Sequence, residues 1–237
     1  MSIISSLLSN PRATLMVFLL ALPGRLIAIS AHECAHAWVA ERCGDPTGRM
    51  MGRITLNPMK HLDPIGILCM LLLGIGWAKP VPVNPRNFRN YRRDDLLVSI
   101  AGVTMNLLLF LLGSLVYYVI LGISFNHEAM YYSLFYASGS IGGYLMDMLY
   151  YFIATNLSLA IFNLIPVPPL DGYHVLNDLV LHRNLFATMQ AQRIGQMALY
   201  VAMFSGALSH FLSWAMSGAF SAVGALATAI YRLIGLL

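Results

Sequence analysis

The chain has little charge and few cysteines for its length. Only 10% of its 237 residues are charged, 58% are hydrophobic, and the mean hydropathy is +0.70. A water-soluble domain of this size cannot cover its surface with so few charges, so the composition predicts a polytopic membrane protein. None of the three cysteines belongs to a CxxC pair, which argues against a disulfide framework and against redox chemistry by paired thiols.

Positive charge is missing from one stretch and concentrated in another. Residues 124–140 contain no Lys or Arg, whereas nine of the fourteen basic residues lie between residues 42 and 93. These nine are Arg42, Arg49, Arg53, Lys60, Lys79, Arg86, Arg89, Arg92 and Arg93. The positive-inside rule therefore places 42–93 in the cytoplasm and 124–140 outside. A net charge of +4 distributed in this way indicates contact with the headgroups of a lipid bilayer and no nucleic-acid partner.

Long apolar runs predict an all-α fold with about four to six transmembrane helices. Asn10-Pro11 is a helix start, and the helical periodicity holds to about Arg42 before Gly44-Asp45-Pro46 stops it. No small-x-small cleavage site follows the apolar run, so this segment is expected to be a spanning helix and not a removed signal. Two further spans are expected at about 95–123 and 141–164. The apolar residues 195–237 are enough for one long helix or two short ones, and two helices broken near Ser213 are the favoured prediction.

Two segments between the first spans do not fit a crossing helix. Residues 48–57 combine β-formers with glycines, so they predict a short β hairpin on the cytoplasmic side. Residues 65–77 are apolar but too few to span comfortably, and basic residues flank them on both sides. This pattern predicts a re-entrant segment that enters and leaves the membrane on one face.

Residues 32–36 read His-Glu-Cys-Ala-His, an H-E-x-x-H motif inside the first apolar run. On a helix, positions i and i+4 are separated by about 40° of rotation and roughly 6 Å of rise, so both imidazoles can reach one metal ion. Glu33 then lies beside the metal, where it can take a proton from water and pass it to a leaving amine. The motif also occurs by chance on solvated helix faces, but the apolar flanks at 15–29 and 37–40 provide no such face. Zinc-dependent hydrolysis of a peptide bond is the predicted reaction.

A third ligand must lie at the same membrane depth as His32 and His36. Asp171 meets this demand, because it follows the span that returns to the cytoplasm. Three prolines unwind the chain just before it, and Gly172 allows a sharp turn. Irregular backbone at membrane depth occurs where it lines a cavity or the protein interior. The alternative is a simple helix end that leaves the Asp171 carboxylate in solvent.

The two motifs together resemble the site-2 protease family of intramembrane zinc metalloproteases. The signature of that family is H-E-x-x-H in one membrane helix and N-x-x-P-x-x-x-L-D-G in a later one, which residues 163–172 match at every fixed position. The resemblance extends to residues 52–58, 61–64 and 76–85, which look like the small prokaryotic branch without a PDZ domain. It covers about residues 20–175.

The resemblance implies one Zn²⁺ per chain held by His32, His36 and Asp171, with Glu33 as general base. It also implies hydrolysis of a peptide bond within or next to a transmembrane segment of a membrane-protein substrate. The expected location is a prokaryotic plasma membrane, with the active site near the cytoplasmic side. Residues 1–237 are then one membrane-embedded peptidase domain with a core at about 13–175 and C-terminal helices at about 195–237.

Two asparagines are candidates for a catalytic role. The stretch 101–106 departs from the family pattern, which has proline where this chain has Val103. Asn106 and Asn163 are predicted to stabilise the oxyanion of the tetrahedral intermediate, because a neutral amide donor suits that role in a dry site. Hydrogen bonding between helices is the alternative for both.

A membrane metal transporter is the alternative function. Such carriers also place histidines and acidic residues in membrane helices, but they usually repeat their polar sites along a path or between two halves. This sequence has one such cluster and no internal repeat, which favours the protease.

Overall fold

A computed structural model of the chain describes residues 9–73, 76–125, 140–181, 186 and 188–236. These residues are mainly helical. The helices are α1 (Pro11–Cys43), α2 (Thr47–Met50), α3 (Pro64–Leu73), α4 (Tyr91–Phe125), α5 (Ile141–Asn163), α6 (Asp171–Val175), α7 (Met189–Phe204) and α8 (Ala207–Leu233). Short 3₁₀ turns occur at Pro58–Lys60 and Pro85–Asn87, and a π-helical turn, Leu176–Leu181, continues α6.

The ends of α1 agree with the signals in its sequence. Asn10 Oδ1 accepts a hydrogen bond from the backbone N–H of Ala13, and Pro11 occupies the first helical position. Gly44 ends the helix in the left-handed region at φ 112°, where glycine has no steric penalty. The predicted start and stop of this helix are confirmed.

Four helices of the described residues are long and apolar enough to cross a membrane: α1, α4, α5 and α8. A multi-pass membrane protein is therefore confirmed. The predicted break near Ser213 is wrong, because the chain breaks at Ser205 and Gly206, where Gly206 adopts φ 80°. The helix before this break, α7, has only 16 residues.

The predicted β hairpin at residues 48–57 is wrong, since the described residues contain no strand of a sheet. Asp45 Oδ1 instead accepts hydrogen bonds from the backbone N–H and hydroxyl of Thr47, which starts the short helix α2. The N–H of Gly52 then donates to the carbonyl of Arg49, and Gly52 turns the chain at φ 64°. Local turns thus pair several of the backbone N–H groups in this stretch.

The C-terminal half of α1 packs against both α4 and α5. Glycines allow close approach at the crossings: a Cβ on Gly24 would lie 2.8 Å from Phe152 Cα, and one on Gly113 would lie 2.9 Å from Ile153 Cγ1. The outer side of the α4 and α5 pair is covered by α8, which packs Phe220 and its neighbours against Phe110. This arrangement holds the H-E-x-x-H motif of α1 between α4 and α5.

The chain before and after α3 meets at one place. A Cβ on Gly66, near the start of α3, would lie 2.2 Å from the carbonyl oxygen of Trp77. Leu62 and Ala78 form an isolated antiparallel bridge next to this contact. From Ala78 the chain runs without helix to the 3₁₀ turn that ends at Asn87; residues 78–87 are called the strap below.

Candidate metal centre

The side chains of His32, His36 and Asp171 converge at the centre of the helix bundle. The two Nε2 atoms lie 3.0 Å apart, and Asp171 Oδ2 lies 3.3 Å from each of them. Both histidines are buried and the carboxylate is partly buried. This is the only group of three such side chains within the described residues that could hold a metal ion.

Hydrogen bonds at the other ring nitrogens determine which atoms face the centre. His32 Nδ1 lies 2.7 Å from Asn106 Oδ1, and His36 Nδ1 lies 2.7 Å from the backbone carbonyl of Val98. Both partners are acceptors, so each Nδ1 carries the proton and donates it. In the neutral imidazoles the two Nε2 lone pairs therefore point at Asp171, as is usual for histidines that bind metals.

Three acceptor atoms facing one another are unfavourable without a cation between them. Ligand atoms at about 2.0–2.1 Å from a tetrahedral zinc ion lie roughly 3.3 Å apart, close to the separations observed. The donor set thus fits Zn²⁺, the cofactor predicted for this chain.

Asp171 reaches the centre because the chain turns sharply after α5. Residues 164–170 leave the helix through the prolines, and Asp171 is the first residue of α6. A Cβ on Gly172 would lie 2.3 Å from the carbonyl oxygen of Leu164, so only glycine permits this return. His174 Nδ1 and Asp95 Oδ2, 2.9 Å apart, also join α6 to α4. This hydrogen bond raises the pKa of His174 and favours its protonated form.

Gly102 of α4 forms one wall of the centre. A Cβ at this position would lie 2.5 Å from His32 Cε1 and 2.5 Å from His36 Nε2. No real Cβ makes contacts this short, so any larger residue would displace the imidazoles. The backbone of α4 therefore packs directly against both histidines.

Asn106 has different contacts from those that the oxyanion prediction requires. It is fully buried, its Oδ1 accepts from His32, and its Nδ2 donates to the Ala28 carbonyl and to Asn156 Oδ1. Both amide hydrogens are used, so none is available for an oxyanion. Asn163 Nδ2 donates to the carbonyl of Leu159 on its own helix, and no hydrogen bond among the described residues joins it to the three converging side chains.

Glu33 lies on the side of α1 that faces the strap. Its Oε2 accepts a hydrogen bond of 2.9 Å from the backbone N–H of Val81. Sequence reasoning did not identify this donor, nor the buried amide of Asn156 that supports Asn106. Neither contact has a local signal, since 48 residues separate Glu33 from Val81 and 50 separate Asn106 from Asn156.

Comparisons with known proteins agree with this arrangement. The model of Peptidase family M50 matches residues 18–208. A Bacillus subtilis protein named "Putative zinc metalloprotease YwhC" is 39% identical over 195 residues, which are 82% of this chain and 84% of that protein. A Mycolicibacterium smegmatis protein named "Putative zinc metalloprotease Rip2" is 27% identical over 207 residues, covering 85% of this chain and 73% of that protein.

A comparison with solved structures found no match. The family match includes both sequence motifs and all three converging side chains. Because it spans most of the chain, the protein belongs to peptidase family M50, the site-2 protease family that its two motifs resemble.

Proposed function

We propose that the protein is an intramembrane zinc metalloprotease that hydrolyses a peptide bond within or next to a transmembrane segment of a membrane-protein substrate. The observation that carries this proposal is the convergence of two Nε2 lone pairs and one carboxylate oxygen inside a bundle of membrane-spanning helices. Such a donor set is costly in a membrane and has a ready explanation as a catalytic zinc site.

His32, His36 and Asp171 are proposed to hold one Zn²⁺. When bound, the zinc supplies a Lewis acid that polarises the scissile carbonyl and makes water acidic near neutral pH. Glu33 is proposed to accept a proton from the attacking water and then to deliver it to the leaving amine. Asn106 is proposed to orient His32 instead of stabilising the oxyanion, because its Oδ1 accepts the Nδ1 proton of that ring. Asn163 remains a candidate oxyanion donor.

The active site is proposed to lie near the cytoplasmic side of a prokaryotic plasma membrane. The basic stretch 42–93 supports this orientation, because it follows the end of α1 that carries the motif. The contact between Gly66 and Trp77 supports a re-entrant path for 65–77, since the two ends of the segment meet. The chain is proposed to be a single membrane-embedded domain in contact with lipid.

The transporter alternative lacks support from the structure. A transport path requires further polar sites, and the described residues contain one group of potential metal ligands. The family match is to a peptidase.

The test compares the wild type with Glu33→Gln after reconstitution into liposomes. Gln is close to Glu in shape but cannot act as a base, so zinc content should stay near one ion per chain. Cleavage of a model transmembrane peptide should fall by at least ~10²–10⁴-fold, the usual contribution of a general base. Zinc flux across sealed liposomes by the wild type without any cleavage would contradict the proposal. Cleavage that survives in Glu33→Gln would contradict the role of this residue.

A further inference from the structure

The strap presents one backbone donor to Glu33. The N–H of Val81 lies 2.9 Å from Glu33 Oε2. The neighbouring residues Pro80 and Pro82 have no N–H group, so Val81 carries the only backbone donor at these three positions. Proline also restricts the backbone on both sides of Val81, which reduces the freedom of this donor.

The N-terminal end of the strap is anchored to the chain around α3. The N–H of Lys79 donates to the carbonyl of His61 at 2.8 Å, next to the bridge between Leu62 and Ala78. The guanidinium of Arg53, a buried side chain, donates to the carbonyl of Lys79. The backbone N–H and C=O groups of Lys79 therefore both have hydrogen-bond partners.

The C-terminal end is anchored to the residue that follows α1. Asp45 is fully buried, and its Oδ2 accepts from the N–H of Asn84 at 2.7 Å. Its Oδ1 accepts from Nδ2 of Asn87 at 2.8 Å. Because Asp45 lies just after the helix that carries Glu33, the helix and the strap are joined through one carboxylate.

The side chain of Val81 is also in contact. A Cβ on Gly48 would lie 3.5 Å from Val81 Cγ1 and 3.0 Å from Ala37 Cβ, so α1, Gly48 and the strap form one packed layer. The strap is thus held at both ends and supported in the middle, where its single donor meets Glu33.

We propose that the backbone N–H of Val81 is a positioning group for the reaction. It holds Oε2 of Glu33, so the carboxylate keeps one orientation and Oε1 is left to exchange protons with water and the leaving amine. An unrestrained glutamate samples several rotamers, most of which would point the base away from the reacting atoms. This inference rests on the proposed function, because it assigns Glu33 as the base.

The first test replaces the Val81 amide by an ester. Cell-free synthesis with α-hydroxyvaline at position 81 removes the N–H and keeps the side chain; the matched control is the same change at Val83, whose N–H donates to no acceptor in the described part of the chain. The ester at 81 should lower kcat by about 10- to 100-fold, with KM within about twofold and zinc content unchanged.

The control ester should remain close to the wild type. Unchanged kcat in the ester at 81 would overturn the proposal. So would an equal loss in both esters, which would show general damage to the strap, or a rise in KM alone, which would show that the strap binds substrate.

The second test needs no turnover. Amide hydrogen exchange at Val81 is measured in the wild type, Glu33→Gln and Glu33→Ala, each loaded with zinc. Glu33→Ala removes the acceptor and should speed exchange about tenfold or more, whereas Gln retains an acceptor oxygen and should keep most of the protection. Equal exchange in the wild type and Glu33→Ala would overturn the proposal. If the wild type cleaves nothing, the proposed function fails, while this measurement still decides whether Val81 holds Glu33.

Discussion

The bundle of α1, α4 and α5 and the C-terminal helix α8 both belong to a membrane protein, but they are built differently. Within an apolar 18-residue stretch of each helix, 22% of residues are buried in α1, 44% in α4 and 22% in α5, against 6% in α8. At the candidate metal centre of the bundle, Gly102 lies against both histidines, and their Nδ1 atoms have hydrogen-bond partners. The hydroxyl of Ser217 in α8, by contrast, donates only to the carbonyl of Trp214 on its own helix.

This difference indicates where the protein needs exact geometry. A helix that faces lipid needs apolar side chains of almost any shape, because lipid tails adapt to them. A metal centre needs side chains held within fractions of an ångström, and the neighbouring backbone must come close enough to hold them. Matched substitutions in the two regions should therefore have very different effects.

The largest effect is expected for Asp171→Ala. Loss of the carboxylate leaves only the two Nε2 atoms as zinc ligands. Zinc affinity should therefore fall by more than about 100-fold, and activity should fall with it. The control is Asp63→Ala, which removes hydrogen bonds to the N–H groups of Ile65 and Gly66 at the start of α3. That variant should lose part of the capping of α3 and keep its zinc. Full zinc content in purified Asp171→Ala would show that Asp171 is not a zinc ligand.

Gly102→Ala gives the most direct comparison of the two regions, because Gly218 in α8 is a matched glycine. The new methyl group would lie 2.5 Å from both imidazoles, so zinc affinity should fall by about 100-fold. A Cβ on Gly218 would have no neighbour within 4 Å, and Gly218→Ala should be neutral or stabilising by up to about 1 kcal/mol. Zinc titration and thermal unfolding measure the two effects. Similar zinc affinities in both variants would contradict the close packing of α4 on the histidines.

Asn106→Ala tests the support of the His32 ring. Without its acceptor, Nδ1 loses the partner that orients the imidazole, so zinc affinity should fall by about 10- to 100-fold. Ser217→Ala in α8, the control, removes a hydroxyl that bonds within its own helix and should leave affinity unchanged. A variant of Asn106 with normal zinc affinity but low kcat would favour the oxyanion role instead.

The smallest effect is expected at His174. Its hydrogen bond to Asp95 raises its folded-state pKa, so the stabilisation is fully present below the unfolded pKa of about 6.5 and is lost as pH rises through the raised value. Because the side chain is half exposed, His174→Ala should lower the Tm of the zinc-free protein by only about 1–2 °C near pH 6. The difference should disappear at alkaline pH. A Tm difference that grows with pH would contradict the assignment.

Local rules account for much of the fold. Asn10, Pro11 and Gly44 define α1 because capping depends on a few adjacent residues. The hairpin prediction failed because glycines and β-formers at 48–57 are compatible with several turns, and the bonds from Thr47 to Asp45 select a helical one. The break in the C-terminal region was misplaced because Gly206 was not recognised as a left-handed residue.

The sequence by itself determined the family of this protein and its candidate metal ligands. The i, i+4 spacing of His32 and His36 places both rings on one helix face, and the motif at 163–172 supplies Asp171 after a chain reversal. Only the tertiary structure decided what holds those groups. The Val98 carbonyl, Asn106 and the Val81 N–H are 62, 74 and 48 residues from their partners in α1. Such contacts depend on how helices cross and where the strap lies, which no local pattern encodes.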